Sequence, residues 1–172
     1  MPASHFSGSF VVMGVAGCGK SSLGEACAQR LGLRLLEGDA FHSPANLEKM
    51  QSGVPLSDAD RAAWLALLAR KLAQPGAGLV LTCSALRRSY RDTLRAGSPG
   101  LRFVFLQLSE SEARKRVAAR RGHVFPASLV ASQFETLENP LGEPGVLVLD
   151  ATRPLSDLCD AVCAWLVASV EA

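Results

Sequence analysis

Between Phe10 and Ser22 the chain reads Phe-Val-Val-Met-Gly-Val-Ala-Gly-Cys-Gly-Lys-Ser-Ser, and no other stretch restricts the fold as much. Phe10 to Met13 has the apolar run of a short buried strand. The eight residues from Gly14 fit G-x-x-x-x-G-K-[ST] at every fixed position, and Leu23 to Leu31 is compatible with a helix. Strand, glycine-rich loop and helix together are the context that a phosphate-binding loop requires. Gly14, Gly17 and Gly19 allow backbone angles that turn successive N–H groups inward, and the helix N-terminus adds the positive end of its dipole. Gly14, Val15, Ala16, Gly17, Cys18, Gly19, Lys20, Ser21 and Ser22 are therefore the expected nucleoside-triphosphate contacts. Lys20 is placed to reach the terminal phosphates and the Ser21 hydroxyl to ligate Mg²⁺. Cys18, inside an anion-binding loop beside Lys20, is expected to favour thiolate and to be the most reactive cysteine.

A length of 172 residues suits one domain covering the whole chain. Hydrophobic residues at 48% and charged residues at 20% exclude a disordered chain. A net charge of +2 gives no reason to expect nucleic acid. The charge is nevertheless uneven: Arg87 to Arg121 holds ten basic residues against three acids. Such a segment suits a polyanion such as ATP or an acidic substrate, although solvated helix faces account for most of it. The five cysteines are an odd number without C-x-x-C, which points to no disulfide framework, no zinc pattern and a reducing compartment. Cys159 and Cys163, one helical turn apart, read as small packed hydrophobes. The first residues lack the charged and apolar regions of a signal peptide, and the apolar run Ala161 to Val170 is short for a bilayer span. A cytoplasmic protein with no membrane partner is expected.

Further along, strands are expected at Leu33 to Glu37, Gly78 to Cys83, Leu101 to Leu108 and Val146 to Leu149. Helices are expected from Ser43-Pro44 to Ser52, after the Ser57–Asp60 capping box, over Ala85 to Ala96, after the Ser109–Glu112 capping box to about Arg121, over Ala127 to Leu137, and from Pro154 onward. Alternating strands and helices imply one α/β domain, a five-stranded parallel sheet in three layers with helices on both faces.

Phosphate loops serve switches, motors and kinases alike. Here N-K-x-D and D-x-x-G are absent, and the third strand ends in Thr82-Cys83-Ser84 without the acid of a motor ATPase. The acid instead follows the second strand, as Asp39, near the expected γ-phosphate position. That placement suits a kinase that must hold a substrate hydroxyl.

From Gly38-Asp39-Ala-Phe-His42-Ser-Pro44 through Asn46, Lys49-Met50, Gly53-Val-Pro55-Leu56-Ser-Asp58-Ala-Asp60-Arg61 to Trp64, the chain resembles the gluconokinase family. Cys83-Ser84-Ala85-Leu86-Arg87-Arg88-Ser-Tyr90-Arg91-Asp92, Arg120-Arg121-Gly122-His123 and Ser132-Gln133-Phe134-Glu135-Thr136-Leu137-Glu138 are similar to the same family, in the same order. Shikimate kinases differ in carrying a glycine triplet where this chain has Ser84-Ala85-Leu86. The resemblance implies a phosphate-loop kinase fold of the adenylate and shikimate kinase kind, with a helical lid over about residues 110–140. It also implies ATP- and Mg²⁺-dependent phosphorylation of D-gluconate at its 6-hydroxyl, in a homodimer. A kinase for another small sugar acid, polyol acid or nucleoside, or a nucleotide-binding regulator without catalysis, stays open as an alternative.

Asp39 is the expected catalytic carboxylate, as proton acceptor or as an orienter of Mg²⁺; its other reading is a turn cap. His42 either lines the sugar-acid pocket or sits on the surface. Arg61 and Arg87 are candidates to grip the gluconate carboxylate, because a guanidinium fork matches it, and Arg87 is slightly preferred. Either could pair instead with Asp58. The resemblance places Arg116, Arg120 and Arg121 in the lid over the ATP phosphates. A spacing of four puts Arg116 and Arg120 on one helix face, and Arg121 is rotated away. Lys20, Asp39 and Arg120 are thus the expected catalytic set. Asp150 with Thr152 marks either an adenine-side turn or a helix cap. Trp64 and Trp165 read as core anchors.

Overall fold

The computed structural model describes residues 5–120 and 126–168. Five strands form one parallel sheet: β1 (Phe10–Met13), β2 (Arg34–Glu37), β3 (Leu79–Thr82), β4 (Arg102–Gln107) and β5 (Val146–Asp150), in the spatial order β2-β3-β1-β4-β5. Among the described residues, seven α-helices flank it: α1 (Lys20–Leu31), α2 (Pro44–Gln51), α3 (Asp58–Leu72), α4 (Arg88–Gly97), α5 (Glu110–Ala119), α6 (Val130–Thr136) and α7 (Leu155–Ala168). Single 3₁₀ turns, Gly38–Phe41 and Ala127–Leu129, precede α2 and α6.

The three expected layers follow from how the central strand divides its side chains. Successive residues of a strand point to opposite faces. Phe10 and Val12 enter one core with Leu23 and Cys27 of α1 and Leu158 and Val162 of α7. Val11 and Met13 enter the other with Trp64, Leu65 and Leu68 of α3 and Leu94 of α4. Every residue of β1 is fully buried, as a parallel strand covered on both faces must be.

The helix starts read from sequence hold where a side chain caps them. Ser43 accepts from the Asn46 amide with Pro44 at the first helical position, and Ser57 and Asp60 form a reciprocal capping box. Ser109 accepts from the Glu112 amide. The helix expected from Ala85 begins only at Arg88. Ala85 takes a left-handed φ of 47°, which no helix continues through. Arg91 holds that bend. Its fully buried guanidinium donates to the Ala85 carbonyl at 2.7 Å and the Glu138 carbonyl at 3.0 Å, and it pairs with Glu143 at 2.5 Å. Arg91, one of the ten basic residues between Arg87 and Arg121, is therefore fully buried and paired and not part of a solvated helix face. Among the described residues, no helix is long and apolar enough to cross a membrane.

Candidate active site

All five strands point the same way, so the segments leaving their carboxyl ends meet at one edge of the sheet, where open α/β sheets bind ligands. The loop after β1, the turn after β2 and Ser84 after β3 line one cleft there, with α3, α5 and α6 closing its sides.

The phosphate loop carries positive φ at Gly14 (146°), Gly17 (82°) and Gly19 (98°). Position 14 also has no room: a Cβ there would lie 2.7 Å from Cys18 Sγ and 2.9 Å from the Leu106 carbonyl oxygen. The Cys18 thiol thus packs inward beneath Gly14 and is buried, not presented to solvent as its sequence position suggested. Lys20 Nζ lies over the loop, donating to the carbonyls of Gly14 at 3.0 Å and Val15 at 3.1 Å. Gly17, Gly19, Ala16, Lys20 and Ser21 face the cleft.

Ser21 reveals a residue that the sequence reading missed. Its hydroxyl donates to Glu37 Oε2 at 3.1 Å, and the Thr82 hydroxyl donates to the same oxygen. Glu37 is the last residue of β2, where alternation alone would make it a half-buried strand residue. The register places it opposite Thr82, and the loop after β1 brings Ser21 across from it. Hydroxyl and carboxylate oxygens here form the hard donor set that suits Mg²⁺.

Asp39 stands in the 3₁₀ turn two residues on, exposed to the cleft. Gly38 serves it by close approach and not by an unusual backbone angle: a Cβ would fall 2.3 Å from the Thr82 carbonyl oxygen. Asp39 Oδ1 is 3.8 Å from His42 Nε2. His42 lines the cleft with its side chain 4% exposed and stacks on Trp64, with centroids 4.0 Å apart and planes at 22°. Burial pulls the imidazole below its ordinary value, Asp39 opposes this and Arg61 adds to it, so the ring is neutral at physiological pH. Trp64 is more than a core anchor: it faces the cleft, supports His42 and donates from Nε1 to the Gly38 carbonyl at 2.8 Å. Buried Asn46 donates to the Asp60 carbonyl at 2.9 Å and ties α2 to α3 behind the ring.

The two candidate arginines separate. Arg61 reaches the cleft, held by the Leu56 carbonyl at 2.7 Å and the Tyr90 hydroxyl at 3.1 Å. Arg87 does not line the cleft; it pairs with Asp58 at 3.4 Å, and Tyr90 donates to the other Asp58 oxygen. Of the two, Arg61 is the one that stands in the cleft lining. Arg116 and Arg120 separate too, because α5 ends at Ala119 and Arg120 has an extended backbone. Arg120 lines the cleft, while Arg116 braces the outside of the phosphate loop through the Gly17 carbonyl at 3.3 Å and the Ala151 carbonyl at 3.2 Å. Arg121 lies outside the described residues. From α6, Gln133 accepts from the Ala16 amide at 2.6 Å and lines the cleft with Ser132. Thr152 donates from its amide and its hydroxyl to Asp150, which is drawn below the usual carboxylate range by those bonds. The pair forms a closed turn after β5.

A family model described as an AAA domain matches residues 10–144. The chain is 52% identical over 133 residues to a gluconokinase of Gluconobacter oxydans, covering 76% of this chain and 75% of that one. It is 41% identical over 150 residues to the thermoresistant gluconokinase of Escherichia coli, covering 85% and 86%. The crystal structure of a gluconokinase from Sinorhizobium meliloti superposes with a TM-score of 0.89 at 48% identity, over 97% of this chain and 95% of that one. The Mycobacterium tuberculosis APS kinase, at 21% identity and a TM-score of 0.68 over 93% and 98%, shares the fold.

Proposed function

The chain belongs to the gluconokinase family, and we infer from this that it transfers the terminal phosphoryl group of ATP to the 6-hydroxyl of D-gluconate, giving 6-phospho-D-gluconate and ADP. The observation that carries the reading is a single cleft lined by Lys20, Ser21, Asp39, His42, Arg61 and Trp64 together.

Phosphoryl transfer asks a protein mainly for positioning and for charge stabilisation. The loop amides from Val15 to Ser22, the α1 N-terminus and Lys20 receive the phosphates. Arg120 lines the same cleft, and its guanidinium meets charge developing on the transferred group. Asp39 accepts the proton of the attacking hydroxyl. Neutral His42, fixed by Trp64, offers a ring nitrogen to a sugar hydroxyl. Arg61, oriented by Tyr90 and Leu56, pairs with the gluconate carboxylate. Ser21 and Glu37, with Asp39 nearby, would hold Mg²⁺, which supplies neutralisation of the phosphate oxygens. The segment from about residue 110 to 140 acts as the lid of a single kinase domain; Val117, Arg120, Leu129, Ser132 and Gln133 facing the cleft support this. A homodimer working in the cytoplasm completes the reading.

ADP release with Mg-ATP and a panel of sugars and sugar acids tests it. Gluconate should give the highest kcat/KM. Phosphorylation of neutral glucose as fast as gluconate would remove the carboxylate clamp and the assigned substrate with it.

A further inference from the structure

Between α1 and α7, which pack on the same face of the sheet, three thiols meet. Cys27 comes from the third turn of α1, and Cys159 and Cys163 lie one turn apart on α7. Their Sγ atoms all lie within 4.8 Å of one another, and Cys27 and Cys159 are 3.7 Å apart. Among the described residues this is the one group of three ligating side chains gathered so closely.

The separation is informative. Sulfur ligands about 2.3 Å from a tetrahedral zinc ion lie about 3.8 Å from each other, whereas a disulfide needs about 2.05 Å. The spacing of four on α7, with α1 packed beside it on the same face of the sheet, brings Cys27 and Cys159 to ligand distance without bonding any pair. Cys27 and Cys159 are buried, and Cys163 is partly exposed, so the group reaches the surface at Cys163. Charge is accommodated as well. Three thiolates around a divalent ion leave one negative charge, and the Arg30 guanidinium stands beside Cys163, turned along the same rim by its ion pair with Asp160. Soft thiolate donors select thiophilic ions over the hard Mg²⁺ suited to Ser21 and Glu37.

We propose that Cys27, Cys159 and Cys163 form a three-thiolate site for a thiophilic divalent metal ion of the zinc type, clamping α1 to α7. Binding releases the three thiol protons to solvent, so uptake weakens as pH falls. Because the ion binds the folded chain, it raises thermal stability as its free concentration rises. The site lies two turns behind Lys20 on the same helix, and its occupation is read without any measurement of kinase activity.

The test uses the reduced, metal-free full chain, with Zn²⁺ titrated against a chromophoric chelator and Co²⁺ as a spectroscopic probe. One equivalent of Zn²⁺ should be retained, and Co²⁺ should give a near-ultraviolet sulfur-to-metal charge-transfer band. Cys163→Ser, at a half-exposed position, should keep its circular dichroism and metal-free Tm while losing affinity by at least about tenfold. Cys27→Ala should abolish the charge-transfer band. No Zn²⁺ retained by the wild-type chain, or equal affinity in a folded Cys163→Ser variant, would overturn the site. So would a ready Cys27–Cys159 disulfide in a chain that takes up no metal when reduced.

Discussion

The Ser21 hydroxyl donates to Glu37 Oε2 at 3.1 Å, joining the phosphate loop to the end of β2. Thr82 donates to the same oxygen, so the carboxylate is held in place from both sides. Glu37→Gln keeps an acceptor for both hydroxyls but removes the charge that would help to hold Mg²⁺. At saturating ATP, kcat should fall about 10- to 100-fold and half-maximal activity should require more Mg²⁺. An unchanged Mg²⁺ titration would confine Glu37 to a structural tie.

Asp39→Asn retains size and polarity and removes the proton acceptor. A kcat lower by about 10²- to 10⁴-fold is expected, with ATP affinity little changed because the loop and Lys20 carry it. Rapid-quench turnover together with nucleotide binding distinguishes the outcomes. Near-normal kcat would make Asp39 a turn cap, and lost Mg-ATP binding would make it chiefly a metal ligand.

Arg61→Ala should raise the KM for gluconate about 10- to 100-fold, the worth of a charge-assisted contact. Arg87→Ala should leave it within about threefold, since its exposed pairing with Asp58 contributes little. Steady-state kinetics on both variants decides which guanidinium meets the substrate; the opposite ranking would place the clamp at Arg87.

Arg120→Ala should depress kcat by about 10²-fold or more while ADP affinity stays close to wild type. Arg116→Ala should do the reverse, because Arg116 braces the Gly17 and Ala151 carbonyls. Calorimetric ADP binding and kcat measured on each variant separate the two roles.

His42 titrates below its ordinary value because burial disfavours the imidazolium. The unfolded chain therefore binds a proton near pH 6.5 that the folded chain refuses. The stability contribution is complete above about pH 6.5 and is lost as pH falls toward the folded value. Asp60, drawn down to about 2 chiefly by its bond to Lys49, keeps its charge through this window and adds no slope. His42→Gln should flatten the decline of Tm between about pH 7 and 5. An equal decline in the variant would assign the slope to another group.

The phosphate loop, the alternation of strands and helices, and the capped helix starts at Ser43, Ser57 and Ser109 were legible in the residues, because each depends on neighbours within a few positions. Period and spacing carry such local information in full. The positions that differed share another cause. Glu37 meets Thr82 through sheet register and Ser21 through the loop after β1, Arg91 is buried by segments about fifty residues away, and Arg61 lines the cleft with Tyr90 and Leu56 as partners while Arg87 pairs with Asp58. Cys18 and Gly14 compete for one volume under the loop, and the three thiols of α1 and α7 approach only when both helices lie on the same face. Sequence determined which chemistry this chain carries and in what order along the chain, while the order along the sheet edge, β2-β3-β1-β4-β5, came from the fold. Tertiary structure decided which of several like side chains reach the cleft, because burial and hydrogen-bond partners are set by segments distant in the chain.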